Sequence, residues 1–254
     1  MTFILLHFCQ GAWAQNFGFN ARTSAEIDWK VFKGLHINAD YELRMQDSFS
    51  GIERQQISAG ATYKLNKYFK AGLDYTFIGH YKASDGTFCP RHRVSLNLTG
   101  NIDMGDWRIS LRERIQLTHK AYSINAFQEV RNPLTLKSRI QAKYRGFKSI
   151  EPYAYIEFRN IFNAPGCSAT YSTATGSYSD YEFQGYNDAY INRLRGTIGV
   201  DWNISKHHSI DFGIMANWCR DRKIDTNKEG TRLKSYGWER SGYASLCIGY
   251  KFSF

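Results

Sequence analysis

The stretch Leu35-His-Ile-Asn-Ala-Asp-Tyr-Glu-Leu-Arg-Met45 decides how this chain folds. Leu35, Ile37, Ala39, Tyr41, Leu43 and Met45 take one parity, and His36, Asn38, Asp40, Glu42 and Arg44 take the other. Side chains of an extended strand point alternately to opposite faces, so this order gives one apolar face and one charged face. Wound into a helix, the same residues would scatter charge around every side. The run is about twice as long as a soluble strand of ~5–6 residues. It matches the ~9–11 residues that a tilted strand needs to cross hydrocarbon.

The pattern recurs on both sides of this stretch. Upstream, Phe17, Phe19, Ala21, Thr23, Ala25, Ile27, Trp29 and Val31 alternate with Gly18, Asn20, Arg22, Ser24, Glu26, Asp28 and Lys30. Downstream the apolar parity continues through Ile57–Leu65, Phe69–Phe77, Val94–Ile102, Trp107–Leu117, Leu134–Tyr144 and Ala154–Phe158. Three last segments centre on Leu194–Trp202, Ile210–Trp218 and Ala244–Phe254, which makes eleven in all. Connections alternate too. Lys33-Gly34, Asn66-Lys67, Met104–Asp106, Gly146–Ser149 and Ser205–His207 are tight turns. Long links lie near 47–53, 83–89, 120–131, 163–189 and 223–236, and the Ser-, Thr-, Tyr- and Gly-rich link at 163–189 is expected to be the most mobile surface. Short turns on one rim and long loops on the other are the pattern of an outer-membrane barrel.

Composition agrees with this reading and excludes others. The 254 residues carry 33 Lys and Arg against 23 Asp and Glu, a net charge of +10, and 16% are aromatic. That aromatic content excludes disorder. Beyond residue 14 no apolar run approaches the ~18 residues of a membrane-spanning helix. A mean hydropathy of −0.49 reflects how closely polar and apolar residues are interleaved. The expected fold is therefore all-β: a transmembrane, antiparallel, up-and-down β-barrel of ten to twelve strands over residues 15–254, with the charged parity in the lumen. Trp29, Trp107, Trp202, Phe69, Tyr63 and Tyr144 fall near the short-turn ends, where an aromatic girdle belongs. A soluble sandwich is the competing arrangement, and it would turn the polar parity outward. Single-chain bacterial barrels have an even strand count, so eleven segments imply a missed strand or a first segment outside the wall.

Residues 1–14 read as a secretory leader. Phe3 to Phe8 form a short apolar core, and Ala12-Trp13-Ala14 is a small-residue cleavage site ahead of Gln15, although no Lys or Arg precedes the core. Export through the Sec pathway, cleavage after Ala14 and residence in the outer membrane are the corresponding expectations. An oxidising compartment permits disulfides. Cys89 and Cys167 fall in long links on one side of the expected barrel and are the candidate pair among Cys89, Cys167, Cys219 and Cys247. Their spacing fits no zinc pattern, so no metal and no cofactor are expected.

The C-terminal run from Gly242 ends in Tyr250, Phe252 and Phe254, which resembles the assembly signal that the barrel-insertion machinery reads on outer-membrane barrels. Tyr41-Glu-Leu-Arg44, Tyr63-Lys-Leu-Asn-Lys-Tyr68, Pro152-Tyr-Ala-Tyr-Ile-Glu157 and Asn192-Arg-Leu-Arg195 extend the likeness over nearly the whole mature chain. On these motifs the chain resembles a bacterial outer-membrane barrel family known only as a domain of unknown function. The resemblance implies fold and location, with outer-membrane lipid and the insertion machinery as partners, and it carries no activity.

Two constellations bear on function. Arg93, Arg108, Arg112, Arg114, Arg139, Arg193 and Arg195 are expected to face the lumen with Glu157 and with Glu26, Asp28, Asp40, Glu42, Asp74, Asp201 and Asp211. Such a lumen is either filled by its own ion pairs, because buried charges must be paired, or a conduit favouring small anionic solutes, because rings of Arg select anions. His207-His208-Ser209 is the other, since a His-x-Ser pair shares one strand face and serves some outer-membrane lipid hydrolases. Ile210 stands where that motif carries Asn, and no acid is assigned to orient the imidazole, so no enzyme is expected. Basic proteins often bind nucleic acid, but no basic domain or stacking motif supports that partner here.

Overall fold

Alternation in the sequence becomes a closed wall. In the computed structural model, which describes residues 16–82 and 86–254, eleven strands close into one barrel. In chain order they are β1 (Asn16–Phe32), β2 (Leu35–Met45), β3 (Ile52–Lys64), β4 (Phe69–Tyr81), β5 (Phe88–Met104) and β6 (Trp107–Lys120). There follow β7 (Leu134–Tyr144), β8 (Ile150–Ser172), β9 (Ser177–Asn203), β10 (His208–Thr226) and β11 (Leu233–Ser253). The leader expected at 1–14 lies outside the described residues, as does part of the link at 83–89.

Each strand pairs antiparallel with its sequence neighbour, and β1 closes the ring against β11 in parallel, from Asn16 opposite Ser241 to Asp28 opposite Ser253. The first segment thus belongs to the wall, and the even count does not hold. The reason is geometric. In an up-and-down wall of odd number the first and last strands run the same way, so closure needs one parallel pair. Inward side chains fasten that seam: Ser245 Oγ donates to Asn20 Oδ1 (2.5 Å), Arg22 Nη2 to the Tyr243 phenol (3.3 Å), and Lys251 Nζ to Glu26 (2.8 Å).

The apolar parity faces outward. Ile198 is 64% exposed and Ile140 62%, with Leu96, Ile115, Ile156 and Ile214 beside them, whereas a soluble sandwich would bury these positions. Contiguous outward aliphatics around a closed wall form a surface suited to hydrocarbon, and crossing by a closed barrel leaves no strand edge unpaired. Trp29, Trp107, Trp202, Phe69 and Tyr63 are exposed at the short-turn rim, and the Trp107 ring contacts Tyr144 at 5.1 Å.

Local chemistry sets that rim. Gly34 closes the β1–β2 turn at φ +92°, and Gly105 closes β5–β6 at φ +59°, a region where side chains with a Cβ are strained. Asn66 Oδ1 accepts from the amides of Tyr68 (2.8 Å) and Phe69 (2.9 Å), and Ser205 Oγ accepts from those of His207 and His208 (3.2 Å each).

The opposite rim departs from expectation. Residues 163–189 are not a loose link: β8 and β9 continue as a hairpin to a turn at 173–176, and β10 and β11 likewise extend to a loop at 227–232. These extensions clasp the 121–133 loop. Phe127 meets the Phe183 ring edge-on at 5.3 Å and packs on Gly230, while the Tyr186 phenol donates to the Ala126 carbonyl (2.7 Å). Gln128 Nε2 donates to Asp225 Oδ1 and the Thr226 carbonyl, 3.0 Å each. Arg220 stacks on Trp238 at 3.9 Å, and Arg222 pairs with Asp188. Within this clasp burial raises the Tyr122 phenol above its ordinary pKa, against the pull of the Arg91 guanidinium.

Candidate functional site

The charged parity fills the lumen in layers. At mid-height Glu157, only 3% exposed, is held by three guanidiniums from three strands. Arg112 Nη2 lies 3.1 Å and Arg139 Nη2 2.8 Å from its Oε2, and Arg195 Nη1 lies 3.0 Å from its Oε1. The register explains this convergence, since Arg112, Arg139, Glu157 and Arg195 stand directly opposite one another across β6, β7, β8 and β9. Arg139 also lies over the Tyr155 ring at 3.8 Å.

A second acid, Glu42, accepts from Arg44 and from Gln56 Nε2 (2.6 Å). Between these two acids lies a chamber of about 280 Å³. Eight cations line it (Arg22, Arg44, Arg93, Arg112, Arg114, Lys137, Arg139 and Arg195) against four acids (Asp40, Glu42, Glu157 and Asp211). It shares Asp40, Ser58, Thr76, Arg112 and Arg114 with a vestibule of about 1010 Å³ that reaches the short-turn rim at Lys33, Gly34 and Asn66. A further cavity of about 510 Å³ runs to the same rim past Lys143, Asp201 and Lys206, and it meets the chamber at Ser24, Asp211 and Gly249. Toward the long-loop rim, the inward Ile78 and Cys89 are 0% and 1% exposed.

Of the lumen residues expected from sequence, Arg93, Arg112, Arg114, Arg139, Glu157 and Arg195 line the chamber together. Arg193 lies on the same face, stacked 5.9 Å from the Tyr243 ring, with its buried Nε without a hydrogen-bond partner. Arg108 stands apart near the short-turn rim, where its Nε and Nη2 fork onto Asp103 (2.6 and 2.9 Å). Arg22, Arg44 and Lys137, which belong to the charged parity, also line the chamber, and Arg54 stands opposite Arg44. Their parity is legible in the alternation; that they converge at one height depends on register, which alternation alone leaves open.

Cys89 and Cys167 are free thiols, as are Cys219 and Cys247, so the candidate bridge is not formed. Cys89 sits in β5 and Cys167 in β8, not in loops, and two strands stand between them. Adjacent strands are ~4.8 Å apart, and a disulfide needs Cα atoms within ~7 Å. Among the described residues no group of three or more His, Cys, Asp and Glu is placed to hold a metal.

The His-Ser pair is not assembled either. His207 Nδ1 is 2.7 Å from the Ser253 carbonyl and His208 Nδ1 2.7 Å from the Tyr250 phenol, so each imidazole is turned to the last strand rather than to Ser209. These contacts surround the expected assembly signal. Tyr250 and Phe254 are exposed outward, and Phe252 packs between His208 (5.0 Å) and Phe254 (4.7 Å).

No curated protein matches the sequence. Among solved structures, the chain is similar to the outer-membrane expressed OmpT of Vibrio cholerae, at 9% identity and a TM-score of 0.38 over 85% of this chain. It is also similar to the ferric yersiniabactin uptake receptor FyuA from Yersinia pestis, at 10% identity and a TM-score of 0.33 over 90% of this chain. The alignments span 59% and 42% of those two proteins. A family model described as "Protein of unknown function (DUF2490)" matches residues 19–228, from β1 into the β10–β11 loop, and the chain belongs to that family.

Proposed function

We propose that this protein is an outer-membrane barrel whose lumen is a cationic cup, open toward the periplasm and capped on the outside, that takes up small anionic solutes without transforming them. On this reading the segment 1–14 is an export leader cleaved after Ala14, outer-membrane lipid covers the wall, and the insertion machinery reads Tyr250, Phe252 and Phe254. The observation that carries the cup is the contrast between the two ends of the lumen. Vestibule and chamber are continuous with the short-turn rim. At the other end the inward Ile78 and Cys89 are fully buried, and the loop that the hairpins clasp is tied to β5 next to Cys89, where the Ala121 amide donates to the Pro90 carbonyl (3.0 Å). Charge supports the preference for anions, because eight cations around four acids leave a surplus that internal pairing does not absorb.

The test is conductance of the purified barrel in planar bilayers. The unaltered chain should pass no steady current, and Phe127→Ala combined with Gln128→Ala, which unfastens the clasp, should give anion-favouring currents. A steady current from the unaltered chain would overturn the cup in favour of a conduit, the second reading, which the same cation surplus favours.

A further inference from the structure

Strands usually avoid like charges directly opposite each other, yet this lumen lines them up. Arg114 stands opposite Lys137, Lys137 opposite Arg159, and Arg159 opposite Arg193, across four consecutive strands. Arg22, Arg44 and Arg54 form a second such row across β1, β2 and β3. The two rows meet at the chamber through Arg22, Arg44, Arg114 and Lys137.

Two of the chamber's acids pair with cations, and the other two accept only from hydroxyl groups. Glu157 serves Arg112, Arg139 and Arg195; Glu42 serves Arg44; Asp40 accepts from Ser58 (3.4 Å), and Asp211 from Tyr153 (2.7 Å). Three cations are left over. Arg93 Nε reaches only the Thr118 hydroxyl (3.0 Å). Arg22, 7% exposed, bonds the Tyr243 phenol while its buried Nε has no partner. Lys137 has no hydrogen bond or ion pair among the described residues, and it stands in the register position between Arg114 and Arg159. A buried donor without an acceptor, such as the Arg22 Nε, is costly, and cations that line one small chamber from separate strands describe the outline of an acceptor.

We infer that the chamber between Arg22, Arg93 and Lys137 is a binding site for a small solute bearing phosphate groups with at least two negative charges. This rests on the reading of the lumen as an anion-accepting cup. The surplus of cations sets the charge. The volume, just below the ~300 Å³ at which ligand pockets for drug-sized molecules begin, sets the size. The geometry of the donors selects phosphate over carboxylate, because a phosphoryl group offers three oxygens in three directions and a carboxylate two in one plane. Arg22 approaches from β1, Arg93 from β5 and Lys137 from β7, around the barrel rather than from one side.

The test uses the full chain in detergent micelles, titrated calorimetrically at constant ionic strength with pyrophosphate, glycerol 3-phosphate, malonate and chloride. Pyrophosphate should bind one per barrel and more tightly than malonate, with chloride silent. Glycerol 3-phosphate distinguishes a phosphate ester from free inorganic phosphates as the preferred source of the same chemistry. Lys137→Met, which breaks no existing pair, should weaken pyrophosphate about ten- to a hundredfold, the value of one charge-assisted hydrogen bond. Arg93→Gln is the second variant should Lys137→Met not fold, with the same expected weakening. Equal heats for pyrophosphate and malonate, or undiminished binding in the folded variant, would overturn the site. Failure of the cup would instead be seen as steady current in the bilayer, whether or not pyrophosphate binds.

Discussion

Glu157→Gln is the substitution that isolates how this lumen is held together. It keeps the shape of the side chain and removes the charge that three guanidiniums share at 2.8–3.1 Å. Each such pair is worth about 4 kcal/mol of attraction at an effective dielectric near 20, most of which is offset by the cost of desolvating both ions. Removing one member of a buried pair leaves the other uncompensated, at a cost of ~3–5 kcal/mol. Arg195 is 9% exposed in its side chain, but Arg112 and Arg139 are 23% and 18% exposed and retain some water. The lower end, ~3 kcal/mol, is therefore expected, which is roughly a hundredfold in the folding constant. Equilibrium urea unfolding in micelles, followed by tryptophan fluorescence, should show a lower midpoint with an unchanged slope. Arg139→Gln alone should also destabilise the barrel, and the double variant should cost less than the sum, because Arg139 is of little use once the carboxylate is gone. An unchanged midpoint, or strict additivity, would mean that water already solvates these charges, and the network would not be structural.

Three further outcomes are expected. Arg112→Glu combined with Arg114→Glu would leave six cations facing six acids around the chamber and set a second carboxylate beside Glu157; the yield of folded, heat-modifiable barrel on gels should fall, and a full yield would count against a dry ion-pair layer. Gly199→Ala would place a Cβ 2.6 Å from the Tyr153 ring and 2.7 Å from the Phe212 carbonyl, costing about 1–3 kcal/mol by overpacking, to be read as a lower urea midpoint. Single cysteines introduced at Ala174 and Lys67, in a background with the native thiols replaced by Ser, should react with an impermeant maleimide on intact cells at position 174 only, with position 67 labelled after the outer membrane is opened; the reverse pattern would invert the barrel.

Much of this architecture is legible because a barrel wall imposes a two-residue period over long runs. Leu35–Met45 shows it within eleven residues, and its strand bounds agree with the structure. The 163–189 segment reads as a link because Ser, Thr, Gly and Tyr lack apolar alternation. Beyond the band of outward aliphatics the hairpin has no apolar face to present, so the period that marks a strand disappears while backbone pairing persists. Cys89 reads as a loop residue for a related reason, since β5 opens with Phe88-Cys-Pro-Arg, without alternation, before its regular part. The chamber is half visible. Each of its arginines can be assigned inward from parity, but the rows Arg114–Lys137–Arg159–Arg193 and Arg22–Arg44–Arg54 exist only through inter-strand register. Turn lengths constrain register between neighbouring strands, whereas the offset at which β1 meets β11 is set by closure of the whole ring.

The parallel seam also gives this wall a polarity that even-numbered barrels lack. In those, the first strand starts and the last strand ends on the same rim. Here β1 and β11 both run toward the short-turn rim, so a segment joined ahead of Asn16 and one joined beyond Phe254 would leave the barrel in opposite directions. Reporters fused to the two ends of a single copy would therefore stand at opposite rims of the barrel, with no loop insertion needed.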